Sequence, residues 1–227
     1  MDNFEKKDDY FYENTKVLKN KLNILDKDLL KESEKKLTAL RISELSTSPI
    51  VGDFDFEHLK KINYYIFQDI YEWAGQVRKS ELAKLDLFCL YNNIDDFANS
   101  IFTGLQADKY FIEYDYDMKI AKLVELFGNI NALHPFREGN GRTQREFIEE
   151  LAKVDGINLD LTKIGQNTMI QASHRSMNGD NSQLEELFAE LSSPMSLQMQ
   201  LYYISTLCNP KLAKKLLNCV MSNNKKR

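Results

Sequence analysis

The stretch His134-Pro135-Phe136-Arg137-Glu138-Gly139-Asn140-Gly141-Arg142-Thr143-Gln144-Arg145 lies between two runs of helical periodicity and decides how the chain is read. Upstream, Ile120, Leu123, Val124, Phe127, Ile130 and Leu133 recur at the three- and four-residue spacing of a helix over Met118–Leu133. Pro135 disfavours helical backbone at the residue before it, so that helix stops at the motif. Downstream, Phe147, Ile148 and Leu151 mark the core side of a second helix over Thr143–Val154, which Gly156 closes. Gly139-Asn140-Gly141 is therefore a loop feeding a helix N-terminus.

Such a loop suits an anion. Helix N-termini present N–H groups without intrahelical acceptors and a partial positive charge. Glycines let those amides approach a phosphate with no Cβ in the way. Arg142 and Arg145 are three residues apart, hence on one helix face, where two guanidinium forks can grip different phosphates of one nucleotide. Glu138 is the only carboxylate in the loop, and one carboxylate plus substrate phosphate oxygens is a common way to hold Mg2+. His134 enters from the other side as the natural general base near neutral pH. Each feature alone has an ordinary alternative: G-N-G is mostly a turn, a His before Pro packs or is solvated, and two arginines decorate a wet helix face. Their convergence in one loop carries the functional reading.

These residues resemble the signature of Fic-domain proteins, H-x-F-x-[DE]-G-N-G-R-x-x-R, at every fixed position. The likeness extends to Val17–Leu22, Leu37–Arg41, Gly52–Asp55, Phe67–Gly75 and Asn131–Leu133, which are similar to the bacterial cell-filamentation branch, and covers approximately residues 10–191. The resemblance implies an all-α, mainly helical Fic fold with a short β-hairpin flap. It implies a Fic domain with an N-terminal helical extension over 1–191 and leaves a helical appendage over 192–227. It implies a protein adenylyltransferase that moves AMP from ATP to a Tyr, Ser or Thr hydroxyl. His134 then deprotonates the target, Glu138 holds Mg2+, Gly139, Asn140 and Gly141 cradle the α- and β-phosphates, and Arg142 and Arg145 take the terminal phosphates. Phe136 anchors the loop inward. The alternative is a nucleotide- or partner-binding Fic-like scaffold without turnover, although a pure binder needs no base at His134. A P-loop NTPase fails on pattern, since no G-x-x-x-x-G-K-[ST] occurs.

With 227 residues and ordinary apolar content, the chain is long enough for one domain with a sizeable core, with or without a small appendage. A net charge of −4 argues against broad attraction to nucleic acid or an anionic membrane, so phosphate recognition must be local. The charged start Met1–Asp9 and the lack of a long apolar run lead us to expect a cytoplasmic protein with no membrane partner. Cys89, Cys208 and Cys219 are scattered without metal-ligand spacing and read as free thiols.

In chain order, helices are expected from Asp28 to Leu45 behind an Asp26 cap, and from Asp55 through Leu59, Ile62, Ile66, Ile70 and Trp73 to Gly75. Further helices are expected at Ile94–Leu105, Thr168–Met177, Gln183–Leu191, Leu197–Leu207 and Lys211–Met221. Over Gln76–Phe88 the period changes and a short hairpin is expected, either a connector or an edge that receives another chain by strand addition. The resemblance makes it the flap over Val77–Phe88 at which the target protein docks. His58 and His174 read as surface or rim histidines. Bacterial relatives of this short kind include toxins that modify type II topoisomerases, so such subunits are the implied target class. Many relatives are also held off by a helix bearing S/T-x-x-x-E-G/N whose Glu pairs with the second signature arginine, here Arg145. Ser182 to Glu186 is the one in-chain match, with Leu187 where Gly or Asn is expected, so a small antitoxin is expected to supply that helix in trans.

Overall fold

The computed structural model describes residues 10–82 and 87–224, and the tip of the expected flap lies outside them. It is mainly helical with one short antiparallel β pair. Helix α1 (Lys27–Leu45) begins where Asp26 accepts from the Leu29 N–H, as an N-cap should. Helix α2 (Phe56–Phe67) is capped in the same way by Asp55 through the His58 N–H. After α3 (Ile94–Ala107), α4 (Tyr116–Leu133) leads into the motif and α5 (Asn140–Val154) leads out of it. Strand β1 (Ile157–Leu159), α6 (Gln166–Met177), α7 (Ser182–Glu190), strand β2 (Ser192–Pro194), α8 (Leu197–Leu207) and α9 (Pro210–Asn224) complete the order.

Helix α5 is the centre. It touches α2, α4, α8 and β1, and its Phe147, Ile148, Leu151, Ala152 and Val154 are buried. Phe147 meets Phe54 and Phe102 edge-on at 5.5 and 5.8 Å, a geometry that aromatic quadrupoles favour. The C-terminal helices share this core through Ile204, Leu207, Leu216 and Val220. Strand β2, which carries Ser192-Ser193-Pro194, pairs Leu159 with Ser192 and Ile157 with Pro194. The Gly52 N–H donates to the Leu207 carbonyl and the Asn209 N–H to the Gly52 carbonyl, tying the end of α8 to the entry of α2.

Helix α2 ends at Phe67, short of the expected Gly75. The reason is tertiary. The carbonyl of Ile70, which a longer helix would use internally, accepts from the Lys21 N–H, and the Gly75 N–H donates to Asn63 Oδ1. The released segment stacks Tyr71 on Trp73 at 4.2 Å, with Tyr10 edge-on to Trp73. His58, expected at the surface or rim, is buried. Its Nε2 meets the Ile50 carbonyl at 2.9 Å, and its ring occupies space that a Cβ on Gly52 would enter at 2.3 Å. Glycine at the start of the Gly52–Asp55 turn is what admits the ring.

Three carboxylates on α5 are also shielded from water, Glu146 and Glu150 buried and Glu149 half-buried. Burial raises Glu146, raises Glu150 well above the usual range and pushes Glu149 up to about 7, the Leu161 N–H on Glu149 opposing the shift. A carboxyl whose folded pKa is raised binds more protons folded than unfolded. Its stabilisation is full below the ordinary value of 4.5 and is lost as pH rises through about 7. Thermal stability is therefore expected to decline across that window, and Glu149→Gln, which keeps an acceptor for Leu161, to flatten the decline. Unfolding scans over pH check this, and an unaltered slope in the variant would contradict it.

Candidate active site

The site is assembled from the C-terminus of α4, the motif loop and the first turn of α5. His134 is the C-cap of α4 in left-handed backbone, φ 42° and ψ 59°, its N–H donating to the Ile130 carbonyl at 3.1 Å. A non-glycine residue there is strained and persists only when its surroundings over-determine it. The surroundings do so. The His134 carbonyl accepts from Arg78 Nε at 2.8 Å, and the imidazole is buried and stacked on Phe88 at 3.7 Å and 13°.

Asn140 closes the loop. Its Oδ1 accepts from the Phe136 N–H at 2.9 Å and its Nδ2 donates to the Phe136 carbonyl at 2.7 Å. The side chain is thus engaged, and the phosphate-facing surface expected of Gly139-Asn140-Gly141 is left to backbone amides. Phe136 is buried, as expected. Gly139 is the N-cap of α5 at φ 84°, with no side chain capping the helix. A Cβ on Gly139 would stand 2.0 Å from Phe67 Cε2, so glycine is required there by both backbone and packing. The Thr143 N–H donates to the Gly139 carbonyl, so α5 begins at Asn140, ahead of the expected start at Thr143. The amides of the first turn consequently lack intrahelical acceptors.

The two arginines differ. Arg142 donates to Glu34 Oε1 at 2.6 Å and to Thr38 Oγ1 at 3.0 Å, and its guanidinium lies 4.5 Å from the centre of the Phe67 ring. Spacing predicts two free forks on one face, but this one is turned onto α1, where a carboxylate, a hydroxyl and an aromatic face satisfy it. Arg145 makes no hydrogen bond or ion pair among the described residues, and its Nη1 lies 3.4 Å from where a Cβ on Gly141 would be. Desolvation lowers its pKa, which Glu149 partly opposes. A desolvated cation folded over an uncapped helix N-terminus is a strong attractor for an anion.

Glu138 is half-exposed, its Oε1 accepting from the Gly139 N–H at 2.9 Å and lying 3.5 Å from Arg142 Nη2. Among the described residues no three His, Cys, Asp or Glu converge as a metal site. A lone carboxylate beside an uncapped helix N-terminus fits an ion held chiefly by substrate oxygens and water, as Mg2+ is.

Asn63, Glu34, Arg78 and Phe88 escaped the sequence reading. Asn63 Nδ2 donates to the Glu138 carbonyl at 3.2 Å and to Thr143 Oγ1 at 3.0 Å, so α2 holds the loop directly. A signal for it existed: position 63 lies on the inward face marked by Leu59, Ile62 and Ile66, where a polar residue needs a buried partner. Val77 bridges Phe136, the Arg78 N–H donates to the Pro135 carbonyl at 2.9 Å, and the Phe88 N–H meets the Leu82 carbonyl at 3.4 Å, so the arms of the expected flap root on the motif loop.

An uncapped helix N-terminus, a desolvated arginine above it with no acceptor among the described residues, and an imidazole at the loop entrance define a helical domain built to receive phosphate groups. The chain belongs to the Fic/DOC family, whose model matches residues 53–152. It is 31% identical over 190 residues to the Escherichia coli protein named "Probable protein adenylyltransferase Fic", covering 83% of this chain and 94% of that one. It is 36% identical over 181 residues, 79% of its length, to the protein adenylyltransferase VbhT of Bartonella schoenbuchensis, of which it spans 38%. Among solved structures, the N-terminal Fic domain of a VirB-translocated Bep effector protein from Bartonella quintana, with bound ADP, superposes with a TM-score of 0.77 at 28% identity, over 85% of this chain and 97% of that one.

Proposed function

We propose that the chain is a protein adenylyltransferase that moves AMP from ATP to a Tyr, Ser or Thr hydroxyl of a target protein. The observation that carries this is Arg145, a desolvated guanidinium without an acceptor among the described residues, over the open N-terminus of α5. The loop amides receive the α- and β-phosphates and Arg145 the terminal one. Arg142, held by Glu34, keeps Glu138 and the first turn of α5 in place. His134 takes the proton of the target hydroxyl, whose oxygen bonds to the α-phosphorus as the bond to diphosphate breaks. Glu138 is the residue that would hold Mg2+, which supplies charge neutralisation for the phosphates. What this chain contributes beyond that is positioning and charge stabilisation.

The target docks at the flap, in keeping with the 63% exposure of Leu87 at its returning arm. The chain acts as the toxin of a toxin-antitoxin pair. In support, Glu186 is exposed on α7, and no acidic residue pairs with Arg145 among the described residues, which leaves that arginine open to a helix from a separate antitoxin. Among the described residues no helix is long and apolar enough to cross a membrane, and we place the protein's action in the cytoplasm.

The purified chain, incubated with lysate proteins and ATP labelled at either the α- or the γ-phosphate, is expected to transfer only α-label, without prior activation. Leu82→Pro, next to the tip of the flap, should lower labelling far more than ATP affinity. Nucleotide binding with no transfer of either label would favour the scaffold reading instead. Transfer that appears only in Glu186→Gly would make Ser182–Glu186 an internal inhibitor.

A further inference from the structure

Arg78 is a 1%-exposed arginine that the transfer chemistry leaves unused. Its fork meets three carbonyls: Nε donates to His134 at 2.8 Å, Nη1 to Ser80 at 2.7 Å, and Nη2 to Cys89. Glu81 Oε2 stands 3.7 Å from Nη1, and burial holds the guanidinium below the ordinary arginine pKa with Glu81 opposing. A buried cation of this kind is expensive unless its donors are filled, and here the acceptors come from three different parts of the chain. Ser80 is on the outgoing arm of the flap, Cys89 follows its returning arm, and His134 is the left-handed residue at the end of α4.

The arrangement has a geometric result at the imidazole. Phe88, the residue before Cys89, lies face to face with the His134 ring at 3.7 Å and 13°. One planar group thus ties the backbone of His134 to that of Cys89, the residue next to its stacking partner Phe88. Lysine cannot reproduce this, because a single ammonium on a flexible stem lacks the fixed fork. The Cys89 N–H also donates to the Ala132 carbonyl at 2.9 Å, which anchors the returning arm to α4 but does not reach the residue bearing the imidazole.

We propose that Arg78 is a positioning residue for the transfer reaction: its guanidinium holds Phe88 against the imidazole of His134 and fixes the ring in the orientation in which it meets the target hydroxyl. The proposal rests on His134 acting as the general base.

Proton NMR of the full chain reads the stack without needing a target. Only His58, His134 and His174 contribute imidazole signals, and His134→Ala assigns the one of interest. Its ring protons are expected upfield of ordinary values in the wild type, because they lie over the face of Phe88, and Phe88→Leu should remove the displacement. Arg78→Met should remove it too, with ATP affinity by calorimetry unchanged and α-label transfer to lysate proteins lowered by up to about 10²-fold, as for a misplaced catalytic group. Arg78→Lys should restore only part of both. A folded Arg78→Met chain that keeps the wild-type displacement, or one whose ATP affinity falls in step with transfer, would overturn the proposal. If the Met variant does not fold, Arg78→Lys decides: a reduced displacement supports the clamp, and wild-type displacement with wild-type transfer refutes it. A lost displacement in a protein whose wild type transfers no label would leave the clamp standing while removing the adenylyltransferase reading.

Discussion

His134→Ala is expected to lower AMP transfer by about 10²- to 10⁴-fold, the usual worth of a general base, while leaving ATP affinity nearly unchanged. The separation follows from where the residue sits. His134 ends α4 and packs on Phe88, whereas the groups proposed to receive the nucleotide belong to the next element, the first turn of α5 and Arg145. The loop is held by Asn140 on the Phe136 backbone and by Asn63 on the Glu138 carbonyl, neither of which depends on the imidazole. Transfer rate measured beside ATP affinity by calorimetry checks this. A variant that retains near-wild-type transfer would remove His134 from the mechanism.

Gly139→Ala is the other large effect, and it acts on stability as well as activity. At φ 84° an L-residue costs about 1–2 kcal/mol. The added methyl would also lie 2.0 Å from Cε2 and 2.2 Å from Cζ of Phe67, a fully buried ring. Phe67 cannot retreat freely, because Arg142 lies on it at 4.5 Å and Tyr71 stacks beside it. Overpacking of this kind adds about 1–3 kcal/mol. The sum, about 2–5 kcal/mol, corresponds to a fall in Tm of about 4–20 °C for a chain of this size. Gly141→Ala is the control, since the nearest atom to its new Cβ is Arg145 Nη1 at 3.4 Å and the position is exposed. A Gly139→Ala variant as stable as the wild type would mean that the loop does not close on Phe67.

The sequence made the central helix pair and its loop legible because periodicity and punctuation are local. Ile120 to Leu133 repeats at helical spacing, Pro135 breaks it, and Gly139 and Gly156 bracket the next helix. The end of α2 was not legible, because Ile70 and Trp73 continue the apolar pattern past Phe67. What stops the helix is the Lys21 N–H on the Ile70 carbonyl, a contact between residues far apart in sequence. Strands β1 and β2 were missed for the same reason: Ile157–Leu159 and Ser192–Pro194 are three residues each, too short to show alternation, and exist because they pair. At the site, residue types with direct chemistry stood out, whereas their supports did not. Arg78 and Glu34 are ordinary charged residues in sequence, and only the fold shows one guanidinium filled by three carbonyls and one carboxylate facing Arg142. The same gap explains Arg142: spacing put it on a face with Arg145, but spacing carries no information about Glu34 and Thr38 on α1.

The most direct measurement is mass spectrometry of peptides recovered after brief expression of the chain, compared with the His134→Ala variant. Peptides carrying AMP esterified to a Tyr, Ser or Thr hydroxyl, present with the wild type and missing with the variant, are the expected result. Finding no AMP-bearing peptide, or finding phosphate in place of AMP at the same hydroxyl, would contradict adenylyl transfer as the activity of this site.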